Sequence, residues 1–279
     1  METHRPLPRL AFGRAGSGSS RELPAEVAVA VSYNGSTQAV MMATPADLVD
    51  FAYGFSLTEG IATADEIDSV EVVETPLGLD LQIWLKSPAE ERQRARRRSM
   101  AGPVGCGLCG IDSLEEAARK PARVPDSGFT MTPSQIMGAM ADLTAHQPLH
   151  DITRAAHAAA FWSGGIVAAR EDVGRHNALD KLIGAMGRMA HPTGGIGGMG
   201  AITHPTGAVV LTCRTSIDMV QKCAAAGFPI LIAASAPTAT AVEMADAAGI
   251  TLVALARPDG FEVFTHPTRV TPEEATHVA

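Results

Sequence analysis

The chain has 279 residues, 46% of them hydrophobic, and a formal net charge of −8, which excludes a chain-wide disordered protein and argues against a general nucleic-acid binder. Only 4% of residues are aromatic and four are cysteine, too few for stacking platforms along a single strand or for a disulfide scaffold. No apolar run follows Met1–Arg9 or reaches membrane-spanning length, so the sequence predicts no secretory leader, no membrane span and a reducing, cytoplasmic setting.

Residues 1–25, with their Gly-Ser-Gly-Ser-Ser run, read as a flexible arm. Val27–Val31 and Ala39–Met42 around Asn34-Gly35 read as a hairpin. Thr44-Pro45 has the chemistry of a helix start, Thr as N-cap and Pro at the first position, with Leu48, Phe51, Ala52 and Phe55 on one face. Strands are expected around 69–74 and 79–85, completing an α+β subdomain over 26–100. The Arg-rich stretch 90–99 reads as a solvated helix or mobile arm, with a phosphate-binding arm as the sharper alternative. A Gly-rich loop (102–110), a capped helix from Ser113 to Lys120 and a linker fill 101–127, and a helix follows over 133–146. Strands at 166–169, 208–212, 230–234, 251–255 and 262–264 alternate with helices at 178–189, 216–226 and 238–248. That alternation predicts an α/β core over 128–270 with a mainly parallel sheet, ahead of a tail at 271–279. Gly195, Gly197 and Gly200 formally spell G-x-G-x-x-G. They follow Pro192 and precede a strand, the wrong context for a dinucleotide fingerprint.

The loop Gly105-Cys106-Gly-Leu-Cys109-Gly110 places two thiols two residues apart between glycines. Glycine removes bulk and frees the backbone, and a helix start just beyond favours a thiolate. Such a pair suits a disulfide, a metal or a sulfur nucleophile. Zinc needs two further ligands: Cys213 and Cys223 have no matching spacing and would have to meet in the fold, while His146 and His150, at helical spacing, are another possible pair. A thioredoxin-like motif follows a strand, whereas an Arg-rich stretch precedes this loop. A sulfur-carrying nucleophile fits best, with no metal ligands assigned; Cys213 and Cys223 read as packed core thiols.

Two polar knots fall at strand-to-helix junctions, where ligands of open α/β sheets collect. In Glu171-Asp-Val-Gly-Arg-His-Asn-Ala-Leu-Asp-Lys181, Arg175 suits a phosphate and His176 suits a hydrogen bond or a proton transfer. A salt-bridged turn, with Asp172 holding Arg175, explains the same residues equally well. In Cys213-Arg-Thr-Ser216, Arg214, Thr215 and Ser216 make an anion site at a helix start, or Ser216 is simply its N-cap.

These blocks resemble the FdhD family, the formate dehydrogenase accessory sulfurtransferases. The resemblance rests on Glu171–Lys181, Cys106-Gly-Leu-Cys109-Gly, Arg214–Lys222, Met41–Pro45 and Gly54–Gly60, and runs from about Glu26 to Arg269. It implies a sulfur carrier required for formate dehydrogenase activity. Such a carrier takes persulfide sulfur from a cysteine desulfurase and passes it to the molybdenum bis(molybdopterin guanine dinucleotide) cofactor. Cys106 matches the family's persulfide cysteine and Cys109 its neighbour. Leu255, Ala256, Arg257, Pro258, Asp259 and Gly260 match part of a guanine-nucleotide site, for which a free guanine nucleotide is a partial mimic. Arg175, His176, Arg214, Ser216 and Lys222 would hold phosphates, and Asp172 or Asp218 would read guanine. The implied fold is a cytidine deaminase-like core with an N-terminal subdomain, assembled as a homodimer.

The chain departs from the family pattern in places. Thr153-Arg-Ala-Ala-His157 replaces a Gly pair, Asp259-Gly260 replaces Gly-Arg, and Asp218 stands where Glu is common. Base deamination itself is not expected, because no Glu follows His157 at the required spacing and no Pro precedes Cys106. A cofactor-binding chaperone without sulfur transfer, and a zinc-stapled structural protein, are the alternative readings.

Overall fold

The computed structural model describes residues 1–12, 20–99, 123–189 and 205–273, with backbone alone for 94–99. Cys106, Cys109, the Ser113–Lys120 helix and the Gly195–Gly200 stretch lie outside the described residues.

The first structured element is a ribbon. β1 (His4–Pro8) pairs antiparallel with β2 (Ser20–Pro24). The segment expected as a free arm is therefore partly strand. Three prolines in the two strands mask that pattern, because proline belongs on unpaired edges.

A four-stranded sheet follows, built from β3 (Val27–Tyr33), β4 (Ser36–Ala43), β5 (Ile67–Thr75) and β6 (Gly78–Leu85) in the order β4-β3-β6-β5. Asn34 and Gly35 turn the β3–β4 hairpin with φ of 50° and 76°, as two-residue turns demand. Alternate residues face inward: Val29, Val31, Leu79, Leu81 and Ile83 pack on Phe51, Ala52 and Phe55 of α1 (Leu48–Thr58). The Arg-rich stretch falls in α2 (Ser87–Ser99).

The sequence places the start of α1 too early. Thr44 does not cap it; the N-cap position is Asp47, held left-handed at φ 52°. Thr44 is 1% exposed and serves the neighbouring sheet instead. Its N–H donates to Asp172 Oδ2 at 3.0 Å, and its Oγ1 accepts from the Val173 N–H at 3.1 Å.

The second core begins with α3 (Pro133–Thr144) and the short α4 (Pro148–Thr153). Its sheet holds β7 (His157–Trp162), β8 (Ile166–Asp172), β9 (Ala208–Leu211), β10 (Ile230–Ala233), β11 (Thr251–Arg257) and β12 (Gly260–Val263). Their spatial order is β12-β11-β10-β9-β7-β8. Three helices, α5 (Arg175–Met189), α6 (Ile217–Ala225) and α7 (Ala239–Ala248), cover one face. On the other face, α3 packs against the sheet.

The expected mainly parallel sheet is mixed. β9, β10 and β11 pair parallel, but β7 pairs antiparallel with both β8 and β9, and β12 with β11. β7 escaped the sequence reading because Ala158-Ala-Ala160 has weak strand propensity. Its residues alternate between two cores: Ala159 and Phe161 face the α5 side, Ala158, Ala160 and Trp162 the α3 side.

Helices α1 and α5 join the two cores. A Cβ on Gly54 would collide with the Asp180 carbonyl, and one on Gly184 with the Asp50 carbonyl, so the helices touch backbone to backbone. Asp50, 4% exposed, fastens the crossing by accepting from Arg170 at 2.7 Å and Arg188 at 2.5 Å. The ribbon joins the second core where Arg21 donates to the Thr153 carbonyl at 3.2 Å.

Candidate functional site

β8, β9, β10 and β11 run in one direction, so their carboxyl ends meet at one edge of the sheet. Past β8 come Asp172, Arg175 and His176; past β9 come Cys213 to Ser216; past β11 comes the turn Leu255–Gly260. His157 opens the reversed β7 and lies across from Asp172 on the same edge. Thr215 bridges to Pro237 and accepts from the Thr238 N–H at 3.0 Å, extending the edge to the start of α7. Motifs far apart in sequence thus share one rim, the place where ligands of such sheets bind.

The Glu171–Lys181 block divides into an inward and an outward half. Asp172 is fully buried. Its Oδ2 accepts from the Thr44 N–H and from Lys181 Nζ at 2.6 Å. Its Oδ1 accepts from the Gly174 N–H at 2.7 Å and Asn177 Nδ2 at 3.0 Å. Four bonds leave no face for guanine, which overturns Asp172 as its reader. Nor does Asp172 pair with Arg175: its cation is Lys181, which also donates to the Thr44 carbonyl at 2.9 Å. Asn177 donates to the Met42 carbonyl. Glu171 accepts from the N–H groups of Leu149 and His150, so its carboxylate caps α4. Burial nonetheless raises its pKa against those two bonds.

Arg175 and His176 form the outward half. His176 Nε2 bonds Asp218 Oδ2, and Ser216 Oγ donates to the same oxygen at 3.1 Å. Burial alone would raise the pKa of Asp218; the His176 bond and charge and the Ser216 hydroxyl outweigh it, and the pKa falls to about 2. Ser216 is the N-cap residue of α6, yet its side chain makes no cap bond. The Met219 N–H donates to the Ser216 carbonyl and the Asp218 N–H reaches its own carboxylate, so among the first N–H groups of α6 that of Ile217 is left. Two buried polar atoms beside them have no partner among the described residues: Arg175 Nε and Oγ1 of Thr215, itself fully buried. Buried donors rarely go unpaired, so these atoms are open to an oxygen from outside the chain, of water or of a ligand. Half-buried His157 completes the group; burial, then the charges of Arg175 and His150, lower its pKa and favour the neutral imidazole. Cys213 is buried among them, and burial pushes its thiol up to about 11. Burial pushes Cys223 up as well. Both are inert core thiols at neutral pH.

Lys222 is a correction to the sequence reading. It is 5% exposed and donates to Thr58 Oγ1, Glu59 Oε1 and Asp180 Oδ2 at 2.9–3.0 Å. Burial opposes its charge, but Asp180 and Glu59 overcome this and raise its pKa. It is a structural cation between α1, α5 and α6, with no donor left for a phosphate.

Arg214, by contrast, is exposed on the rim. Leu255–Gly260 forms an irregular hairpin in which Leu255 takes φ 52° and the register shifts between Ala254 and Arg257. That bulge leaves Arg257, Pro258 and Asp259 exposed and Ala256 buried. Among the described residues, no group of three or more His, Cys, Asp or Glu is arranged to hold a metal ion. Sequence reasoning named His157 only in a departing segment and as a histidine without the Glu a deaminase needs, and it missed the bonds made by Thr44, Thr58 and Glu59. No local signal marks those bonds: Thr44 reads as a helix cap, and the Thr58 hydroxyl also reaches the Phe55 carbonyl of its own helix at 3.5 Å.

The family model described as FdhD/NarQ family matches residues 24–271. The sulfur carrier protein FdhD of Agrobacterium fabrum is 51% identical over 253 residues, covering 90% of this chain and 89% of that one. The sulfur carrier protein FdhD of Brucella abortus is 49% identical over 255 residues, 90% and 91% of the two chains. A crystal structure from Desulfotalea psychrophila, of a protein described as a formate dehydrogenase accessory protein, superposes with a TM-score of 0.73. It is 24% identical and covers 97% of this chain and 100% of its own, a likeness of fold.

Proposed function

The chain belongs to the FdhD/NarQ family, and on that premise we propose that it is a sulfur carrier for formate dehydrogenase, acting as a sulfurtransferase. The Cys106 thiolate attacks the sulfane sulfur of a persulfide on a cysteine desulfurase. A new S–S bond forms at Cys106, the old one breaks, and the desulfurase cysteine leaves as thiolate. Cys106 then carries the sulfur to the molybdenum bis(molybdopterin guanine dinucleotide) cofactor, which is its cargo. Cys109 relays the sulfur or guards Cys106 by disulfide formation.

The observation that carries this reading is the 51% identity with a sulfur carrier protein over 90% of the chain. The rim supports it. Arg175, Arg214 and the Ile217 N–H at the start of α6 offer cationic and N–H donors to the cargo's phosphates. The orphaned Arg175 Nε and Thr215 Oγ1 would be satisfied by such oxygens. With Asp172 saturated, Asp218 is the carboxylate left to accept from guanine, and His176 and Ser216 hold it ionised and oriented. Leu255–Gly260 closes the same rim. We further infer a cytidine deaminase-like core, a division near residues 101–127 between two lobes, a homodimer and a cytoplasmic setting.

The test uses the full chain with a cysteine desulfurase and cysteine, followed by intact and peptide mass spectra without reductant. One added sulfur is expected on Cys106 and absent in Cys106→Ala. Sulfur on Cys109 would exchange the two roles. No sulfur on either thiol of the folded protein overturns the carrier reading in favour of a cofactor-binding chaperone.

A further inference from the structure

A cavity of about 490 Å³ opens at the amino ends of β10 and β11, the end of the sheet opposite the rim; Arg123, Asp126, Phe129, Thr130, His266 and Arg269 are among its lining residues. Its position follows from its bonds. Thr251, the first residue of β11, donates its hydroxyl to the His266 carbonyl at 2.9 Å. Arg269 donates to the Gly249 carbonyl at 2.8 Å and to Thr251 Oγ1 at 3.2 Å. The Val124 N–H donates to the Ala248 carbonyl at 2.8 Å.

The charges in this cavity are incompletely answered. Arg269 Nε is buried with no partner among the described residues, although the side chain as a whole is 13% exposed. Its carboxylate neighbour, Asp126, stands off at 3.7 Å and is 82% exposed. Asp126 also accepts from the Gly128 N–H at 3.1 Å. His266 Nε2 lies 2.9 Å from the Asp246 carbonyl and 3.5 Å from Asp246 Oδ1. Arg123 has no ion-pair partner among the described residues. In a chain of net charge −8, two arginines line this one cavity.

We propose that this cavity is a second oxyanion site, taking a phosphate-bearing small molecule between Arg123 and Arg269. The Arg123 guanidinium, without an ion pair among the described residues, keeps a fork that matches phosphate oxygens in a bidentate way, and Arg269, whose Nη1 is spent on Gly249 and Thr251, adds its remaining donors. The volume lies within the range of small-molecule sites and exceeds what a single carboxylate would fill. A phosphate oxygen would also satisfy Arg269 Nε, while the hydroxyls of Thr130 and Thr268 line the same space. The site is separate from the rim and does not depend on the sulfur-carrier reading.

The probe is inorganic pyrophosphate, titrated into the ¹⁵N-labelled full chain at fixed ionic strength, with citrate as the carboxylate control. Amide shifts of Gly128, Thr130 and Thr268 are expected to move saturably at millimolar pyrophosphate or below. Arg123→Gln should weaken that response at least about tenfold, the loss of one charge-assisted contact, with an unchanged melting temperature. Arg175→Gln, at the opposite end of the sheet, should leave these shifts in place. An absence of saturable shifts at these amides, or an equal response in Arg123→Gln, overturns the site. An equal response to citrate overturns the assignment to phosphate.

Discussion

At Asp218, burial and hydrogen bonding pull the carboxyl proton in opposite directions, and the bonds to His176 and Ser216 win. Its pKa drops from 3.8 to about 2. A depressed carboxyl pKa adds stability that is fully present above the unfolded value and is lost as pH falls through the folded one. Here that is about 2 kcal/mol, fading between roughly pH 4 and 2. Asp218→Asn should therefore lower stability by about that much at pH 7 in urea unfolding. The wild-type carboxyl, followed by ¹³C NMR, should still be ionised at pH 3; titration near 3.8 would contradict this geometry. His157 acts in the same direction in a higher window. Its lowered pKa favours folding above 6.5 and costs stability as pH falls through its folded value. Such roles were half legible in the sequence. Glu171–Lys181 stood out as a block, but the sorting of Asp172 inward and His176 outward was not visible. That sorting is imposed by Met42 and Thr44, brought over from a segment some 130 residues earlier, and no local pattern encodes it.

Glycine sets the geometry of the elements where α1 crosses α5. Gly54 and Gly184 each face the other helix's backbone, at Asp180 and Asp50 respectively. Gly54→Ala or Gly184→Ala must push the helices apart, disturbing Asp50 and Lys222 as well as the packing. Each should cost about 3 kcal/mol or more in thermal or urea unfolding. Gly138, within α3, has open space where its Cβ would stand. Gly138→Ala should instead stabilise by up to about 1 kcal/mol through helix propensity. Equal effects at the three sites would refute the close crossing. Most elements were legible because their periodicity is strong: the β3–β4 hairpin, the apolar face of α1, and β9 to β11 with their helices. β7 was not, because its alanines lack strand propensity and become intelligible only once helices cover both faces of the sheet. Thr44-Pro45 carried a sound helix-start signal, which lost to a tertiary bond with Asp172.

For the molecule as a whole, the distinction that matters is between cations that join the lobes and cations that await a ligand. Lys222 looks from sequence like a candidate of the second kind, and Lys181 lies on the same helix as Arg175. Burial separates them. Lys181 is fully enclosed against Asp172, and Lys222 is shared by Thr58, Glu59 and Asp180 on two other helices. Arg175 keeps a buried Nε without a partner among the described residues. Removing one member of a buried ion pair strands the other, at a cost of about 3–5 kcal/mol. Lys222→Met should therefore lower the melting temperature sharply, by leaving Asp180 uncompensated between the lobes. Arg175→Gln removes no bond the fold relies on. It should melt like the wild type, yet weaken guanosine diphosphate, measured by calorimetry, about tenfold through one lost charge-assisted contact. The opposite pattern, with Lys222→Met stable but unable to bind and Arg175→Gln unfolded, would return Lys222 to the ligand and make Arg175 part of the frame.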